Sequence, residues 1–188
     1  NISVLETSDS KSSLDNDLPG LNDKYPDDCI EHGELCSVAE KPIIYFYPNT
    51  PANVTVSLDY SGKLLHTYPK IDQNNSWNVR AQPDGKIVDN KDGREYSYLF
   101  WEGKDRSATY DLNKGFVVPG SETADFLRNK LSIMGLTPKE YNEFIVYWLP
   151  KMELNKFNLV HFASKEEYED RAKLTITPKP DSIKRVFM

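Results

Sequence analysis

The sequence has little of what several common protein classes require. Only 9 of its 188 residues are Gly, and none forms a glycine-rich phosphate loop, which disfavours a nucleotide-binding enzyme. No apolar run approaches the roughly 18–20 residues that cross a bilayer. Lys and Arg are scattered in a chain of net charge -6, whereas a surface that follows nucleic-acid phosphates needs them clustered. The sequence therefore predicts no nucleic-acid partner and no membrane span within these residues.

Cysteine is also scarce, and the two cysteines lie close together. Cys29 and Cys36 are too few for a disulfide scaffold but suit one disulfide in an oxidising compartment. Gly33 between them permits the reversal that brings their Cα atoms within disulfide distance. With His32 they offer three soft ligands, whereas structural zinc takes four. We favour a disulfide over free thiols and over a metal site, and we expect no cofactor.

The composition of the chain changes near residue 38. Residues 1–38 are rich in Ser, Asp and Asn without a sustained apolar period, which is typical of a polar tether. Residues 39–188 hold the apolar material of a core and are predicted to form a single domain. Because Asn1 is not an initiator Met, the sequence allows for a signal peptide removed before it, and the cysteine pair also favours export.

In residues 41–118, short β-branched and aromatic runs recur between turn residues. Pro42 to Pro48 is typical of a buried strand, and Val54 to Tyr60 alternates as a strand with one face in a core. The further predicted strands are Leu64 to Tyr68, Trp77 to Ala81, Lys86 to Val88 and Arg94 to Trp101, with turn signals at Ser61-Gly62, Asp84-Gly85 and Asp92-Gly93. This half is predicted to be an antiparallel meander or sandwich.

Residues 119–188 begin with the apolar period of helices. A helix is predicted at 121–134, with Ser121 as its N-cap and Gly135 as its stop. Thr137 and Glu140 form the capping box of a second helix at 138–149, which Pro150 is expected to end. The closing strands are Phe157 to Phe162, Leu174 to Ile176 and Ile183 to Phe187. The fold class is therefore α+β, an antiparallel β-rich half packed with a two-helix segment and closing C-terminal strands.

The candidate catalytic residues are individual side chains, because the sequence contains no assembled catalytic motif. Glycoside hydrolysis needs two carboxyl groups about 5–10 Å apart, and no G-x-S-x-G elbow supplies a nucleophile. The candidates are Glu95, Glu102, Glu143 and His161. His66 and His161 each lie in a predicted strand, where a lone histidine is more often structural. Glu140 is already engaged in its capping box.

Aromatic residues are the unusual feature of the β-rich half. The set is Tyr45, Tyr47, Tyr68, Trp77, Tyr96, Tyr98, Trp101 and Tyr110. Exposed aromatic faces stack on sugar rings or anchor a protein partner, although strands favour aromatic residues for core packing as well. The candidate binding residues are Tyr96, Tyr98, Trp101 and Trp77.

Four runs of the domain carry a family resemblance. They are Lys41 to Pro48, Glu95 to Gly103, Glu143 to Met152 and Ile176 to Ser182. Over residues 38–188 the chain resembles a family of uncharacterised bacterial proteins, many of them secreted or lipid-anchored, typified by a K-P-x-I-Y-x-Y-P opening. The resemblance implies no catalytic residue. It implies an extracellular or cell-surface location, with membrane attachment only through a lipid-bearing Cys upstream of Asn1.

These observations favour a secreted or cell-surface binding or structural module over an enzyme. The expected partner is a cell-wall glycan or a surface protein. The alternative is a hydrolase of cell-wall or polysaccharide material that uses two of the four catalytic candidates. A cleft lined by two of them with strongly perturbed pKa values would favour the enzyme, and a shallow surface with exposed Tyr or Trp would favour binding.

Overall fold

The structure, a computed structural model, describes residues 2–3, 37–105, 111 and 113–188. The strands are β1 (Ile2–Ser3), β2 (Ser37–Ala39), β3 (Ile43–Tyr47), β4 (Ala52–Tyr60), β5 (Lys63–Tyr68), β6 (Ser76–Ala81), β7 (Ile87–Asp89), β8 (Glu95–Tyr96), β9 (Leu99–Asp105), β10 (Phe116–Pro119), β11 (Phe157–Val160), β12 (Ala172–Thr177) and β13 (Ser182–Val186). The helices are α1 (Thr123–Ile133), α2 (Pro138–Met152) and α3 (Lys165–Glu169). Every strand pair in these residues is antiparallel. The predicted α+β class is confirmed.

Two five-stranded sheets share one core and make a sandwich. One sheet has the order β12-β4-β6-β7-β8, and the other has the order β13-β3-β9-β2 with β5 also paired to β9. The alternate residues Val54, Val56 and Leu58 of β4 are buried in this core, as their spacing predicts. The closing strands β12 and β13 complete the two sheets, so the C-terminal strands of the chain are built into the sandwich. A third, small sheet has the order β1-β11-β10.

Strand β3 is buried on both faces. Ile44 and Phe46 belong to the sandwich core, whereas Ile43 and Tyr45 belong to a second core with α1, α2, β10 and β11. A strand covered on both sides has no solvent face and needs no polar alternation, which explains its continuous apolar and aromatic run. The sheet that contains β3 is therefore the middle layer, and Tyr45 faces the helical side.

The predicted turn at Ser61-Gly62 joins β4 to β5, but the hairpin pairing that such a turn indicates does not form. Strand β4 is already paired along both edges, with β6 and with β12, so it offers no free edge to β5. Strand β5 instead crosses to the other sheet and pairs with β9. The crossing is tight, since a Cβ on Gly62 would lie 2.2 Å from the Lys104 carbonyl oxygen. The predicted turn at Asp84-Gly85 is confirmed, because β6 and β7 pair directly across it.

The start of α1 differs from the prediction, and its end agrees with it. A 3₁₀ turn at Gly120–Glu122 precedes the helix, so the N-cap position falls on Glu122 rather than on Ser121. Gly135 adopts φ 88° and ends the helix. The Leu136 N–H donates to the Leu131 carbonyl at 3.0 Å, the bond of a Schellman C-cap.

The capping box of α2 is confirmed, but the predicted stop at Pro150 is wrong. The Glu140 carboxylate accepts the Thr137 N–H, and the Thr137 side chain accepts the Glu140 N–H. Pro150 lies inside the last turns, and α2 continues to Met152. Proline removes one N–H from the helix, and the carbonyl that loses its partner belongs to Val146, which is exposed to water.

Several predictions lie outside the described residues. They concern residue 1 and residues 4–36 of the tether, which include Cys29, His32 and Cys36, and they concern Tyr110. The disulfide stays a prediction, and two free thiols in non-reducing mass analysis would contradict it. Within the described ranges, no helix is long and apolar enough to span a membrane, and no three His, Cys, Asp or Glu side chains are grouped to hold a metal ion.

Candidate functional site

A cleft of about 630 Å³ is formed by the middle sheet, the edge of the sandwich and the start of α2. Strand β3 contributes Tyr45 and Tyr47, the end of β5 contributes Tyr68, and the segment from β8 to β9 contributes Tyr96 and Tyr98. Five of the 11 tyrosines of the chain therefore line one cleft. The other lining residues are Asp84, Gly85, Lys86, Glu95, Ser97, Thr137, Lys139, Glu140 and Glu143.

The cleft brings together four of the eight predicted catalytic and binding residues, namely Glu95, Glu143, Tyr96 and Tyr98. Two catalytic candidates do not line it. Glu102 accepts a hydrogen bond from the Tyr147 hydroxyl at 3.1 Å. His161 lies near α3 with its Nε2 3.1 Å from a Glu167 carboxylate oxygen.

The two predicted tryptophans do not offer exposed faces. Trp77 and Trp101 are buried in the sandwich core, and the Trp77 indole N–H donates to the Pro69 carbonyl at 2.7 Å. Large aromatic side chains on an inward strand face contribute most by packing. The expectation that these two tryptophans form a binding surface is therefore corrected, and the aromatic residues that line the cleft described above are tyrosines.

Glu140 is the buried acid of the cleft. Its side chain accepts hydrogen bonds from the Tyr47 hydroxyl and, at 2.5 and 2.8 Å, from the Thr137 N–H and hydroxyl. The Lys184 ammonium lies 3.4 Å away. Burial alone would raise the pKa of Glu140, but the hydrogen bonds from Tyr47 and Thr137 and the charge of Lys184 together lower it. Glu140 is thus an ionised residue that joins α2 to β3.

Tyr45 is the buried hydroxyl of the cleft. It is only 3% exposed, and its hydroxyl has no hydrogen-bond partner in the described structure. The ring of Tyr98 lies edge-on to it, with centroids 5.7 Å apart at 76°. Burial first, and then the nearby charges of Glu143 and Glu140, raise the pKa of Tyr45. The hydroxyl is therefore neutral and able to donate a hydrogen bond.

Lys41 lies beside the cleft in a cage of aromatic rings. Its ammonium is 5.2, 5.5 and 5.8 Å from the ring centroids of Tyr147, Tyr98 and Phe100, within cation–π range. Burial lowers the pKa of Lys41, against the charges of Glu143 and Glu102, which raise it. Sequence reasoning missed this residue because its neighbours come from strands and a helix distant in the chain.

Three of the four carboxylates that line the cleft lie near a lysine. Lys86 lies 3.3 Å from Glu95, and Lys184 lies 3.4 Å from Glu140. Lys41 interacts electrostatically with Glu143. The two remaining charged lining residues, Asp84 and Lys139, have opposite signs. The cleft therefore combines many polar groups with little net charge.

Tyr68 and Tyr96 give the cleft an aromatic surface toward solvent. Tyr68 is 61% exposed, and its ring meets the Tyr96 ring edge-on with centroids 5.0 Å apart. The Tyr96 hydroxyl donates to the Asp92 carboxylate at 2.9 Å, which fixes that ring. An exposed ring beside a fixed one is a surface on which a planar or sugar-like face can stack.

Comparison with known proteins gives similarity over part of the chain. No protein-family model and no solved structure matches it. Over 64 residues, 34% of this chain, the sequence is 47% identical to a protein of Butyrivibrio fibrisolvens described as "Uncharacterized protein in bglA 3'region". The match covers 65% of the length of that protein. The chain is therefore similar to an uncharacterised bacterial protein, of which the match spans just under two thirds.

Proposed function

We propose that the domain is a secreted or cell-surface binding module that takes a neutral carbohydrate in the tyrosine-lined cleft. The observation that carries the proposal is the combination of five tyrosines with carboxylates whose charges are offset by lysines. The predicted cysteine pair and the resemblance to secreted and lipid-anchored proteins support the location. A cell-wall glycan is the partner that fits both the cleft and that location.

The chemistry of a sugar matches these groups. A pyranose has an apolar face that stacks on an aromatic ring, and Tyr68 is exposed for such a contact. Its hydroxyls both donate and accept hydrogen bonds, as tyrosine hydroxyls do, while carboxylates accept them. Glu143 lines the cleft and accepts no hydrogen bond from any described residue, so its oxygens remain for a ligand. The volume of about 630 Å³ is of the size that small ligands fill.

The balance of charge argues against an ionic ligand. A charged ligand must exchange its hydration for groups of opposite sign, because burying an unpaired charge is costly. Glu140 and Glu95 already have lysine partners at 3.4 and 3.3 Å. A neutral polar ligand needs no such exchange.

A glycan and cell-wall binding screen followed by calorimetry tests the proposal. Tyr68→Ala and Tyr96→Ala should each weaken binding between about twofold and tenfold, the range for one lost aromatic contact. Phe157→Ala is the matched control, since Phe157 is also exposed but does not line the cleft. Binding of no carbohydrate, or an equal loss in the control, would contradict the proposal.

One observation also favours the hydrolase alternative. Two of the four catalytic candidates, Glu95 and Glu143, line the same cleft, as a pair of glycosidase carboxyls does. A turnover assay on every carbohydrate that binds separates the two functions. A hydrolase releases new reducing ends and loses this activity in Glu143→Gln while still binding; a binding module releases none in either form.

A further inference from the structure

We propose that the Tyr45 hydroxyl determines the specificity of the cleft by forming a hydrogen bond with one hydroxyl group of the carbohydrate. This inference rests on the proposed function and names the residue that makes the cleft selective. It begins from a feature that packing does not explain.

A buried hydroxyl without a partner is uncommon. Most buried polar side-chain atoms in proteins have a hydrogen-bond partner, since leaving one unpaired destabilises the folded state. Tyr45 is 3% exposed and belongs to the apolar core between β3 and α2, yet its hydroxyl has no partner there. Phenylalanine would fill the same space without the unpaired group. The hydroxyl therefore has a use that the unliganded protein does not show.

The surroundings of the hydroxyl place it at the wall of the cleft. Tyr45 lines the cleft, and the charges that act on its hydroxyl come from Glu143 and Glu140, which also line it. The nearby Glu140 is fully engaged by Tyr47, Thr137 and Lys184, and it leaves Tyr45 unpaired. A ligand group that enters the cleft can supply the partner.

Tyr98 controls access to this hydroxyl. The hydroxyl has no exposed surface, and the Tyr98 ring packs edge-on against the Tyr45 ring. Tyr98 lies in the break between β8 and β9 rather than within a strand, and its own side chain is only half-buried. A ligand reaches Tyr45 when the Tyr98 ring turns aside, and the same ring then lies against the sugar.

A site of this kind is selective because a ligand that cannot pair the buried hydroxyl binds more weakly. The correct carbohydrate pairs the hydroxyl, whereas an analogue that lacks the matching group leaves it buried and unpaired. The Tyr45 hydroxyl should therefore lower the stability of the unliganded protein and raise its affinity for the carbohydrate. Removing it should have opposite effects on the two quantities.

The test is Tyr45→Phe, measured with and without carbohydrate. Without ligand its melting temperature should equal or exceed that of the wild type. Tyr147→Phe is the control, because that hydroxyl donates to Glu102 and accepts from Lys151 at 3.1 Å in each case, so it should lose stability and keep its affinity. For the best carbohydrate of the screen, Tyr45→Phe should bind at least about tenfold more weakly, the size of one hydrogen bond to a ligand.

A series of single-deoxy analogues completes the experiment. The wild type should reject one analogue, and Tyr45→Phe should no longer distinguish that analogue from the parent sugar. Binding of parent and analogue that is unchanged by Tyr45→Phe overturns the inference while leaving the proposed function intact. A loss of unliganded stability as large as in Tyr147→Phe also overturns it, since the hydroxyl would then have a partner. Absence of carbohydrate binding in the wild type overturns both.

Discussion

Glu140→Gln tests the hydrogen-bonded contact between the start of α2 and strand β3. Glu140 accepts from Tyr47 on one side and from Thr137 on the other, and it is 3% exposed. A glutamine of the same shape has one oxygen and one NH₂ group. Its oxygen can replace the one that faces Thr137, and its NH₂ then faces the Tyr47 hydroxyl, which can accept as well as donate. The substitution therefore removes the negative charge from the hydrogen bonds with Tyr47 and Thr137 and from the pair with Lys184, while leaving the volume nearly unchanged.

The expected size follows from the contacts that are lost. A hydrogen bond to a charged group contributes about 1.5–3 kcal/mol, so we expect Glu140→Gln to lower the free energy of unfolding by about 2 kcal/mol. Glu140→Ala also removes the capping box and leaves Lys184 without its acid, for a loss of about 3–4 kcal/mol. Urea unfolding at neutral pH measures both values.

The dependence of the free energy of unfolding on pH gives a second test of the role of Glu140. The folded-state pKa of Glu140 is lowered, so its stabilisation is fully present above the ordinary carboxyl value of 4.5 and is lost as the pH falls through the folded-state value. The difference between wild type and Glu140→Gln should therefore be largest at neutral pH and shrink below about pH 4.

Glu122→Gln is the matched control for this prediction. Glu122 also lies at the start of a helix, but it is exposed and makes no side-chain cap bond, so its replacement should change the free energy of unfolding by less than about 0.5 kcal/mol. A Glu140→Gln variant as stable as this control, or a loss that does not depend on pH, would refute the reasoning.

Two further predictions concern a turn of the cleft and the short helix α3. Gly85→Ala should be more destabilising than Gly93→Ala. Both glycines have positive φ, but only at Gly85 would a Cβ contact a ring, 2.7 Å from an atom of Tyr47. Equal melting temperatures of the two variants would contradict this. Hydrogen bonds from the Ser164 backbone and from His161 lower the pKa of Glu167 to about 2. The stabilisation that the Glu167 carboxylate gives to α3 should therefore begin to fall below pH 4.5 and be lost toward pH 2. His161→Ala should raise the pKa of Glu167 in an NMR titration.

Local elements were predictable because their causes lie within a few residues. The capping box needs only Thr137 and Glu140, three positions apart, and both of its hydrogen bonds form. The alternation of Val54, Val56 and Leu58 matches the buried face of β4. In each case the residues that cause the structure lie in the same short segment as the structure itself, so the local sequence pattern is enough to predict it.

Pairing between strands was not predictable from the same patterns. A turn such as Ser61-Gly62 predicts a hairpin only if the preceding strand has a free edge. Strand β4 has none, since β6 and β12 occupy both edges, and β12 lies more than a hundred residues further along the chain. Partner choice therefore depends on distant segments that a local signal does not contain.

The candidate site was predictable residue by residue and not as an arrangement. Glu143 and Tyr98 are recognisable as an acid and an aromatic residue, but the contact between their segments depends on how α2 packs on the middle sheet. The same missing information explains why Trp101 stayed a binding candidate beside the core-packing alternative, since either face of its strand could point to solvent. Lys41 opens the K-P-x-I-Y-x-Y-P run, but that run does not reveal its aromatic cage, because Tyr98 and Phe100 come from one distant segment and Tyr147 from another.

Strand β3 links the binding proposal to the stability of the fold. One face of the strand, with Ile44 and Phe46, fills the sandwich core, and the other face supplies Tyr45 to the cleft. Tyr47 then joins the same strand to α2 through Glu140. Because these contacts exist without a ligand, the part of the cleft wall formed by β3 is ordered beforehand, and binding loses little entropy in forming that part. Within this part of the wall the Tyr45 hydroxyl is unpaired, so a ligand that accepts or donates a hydrogen bond there adds a contact that the unliganded protein lacks.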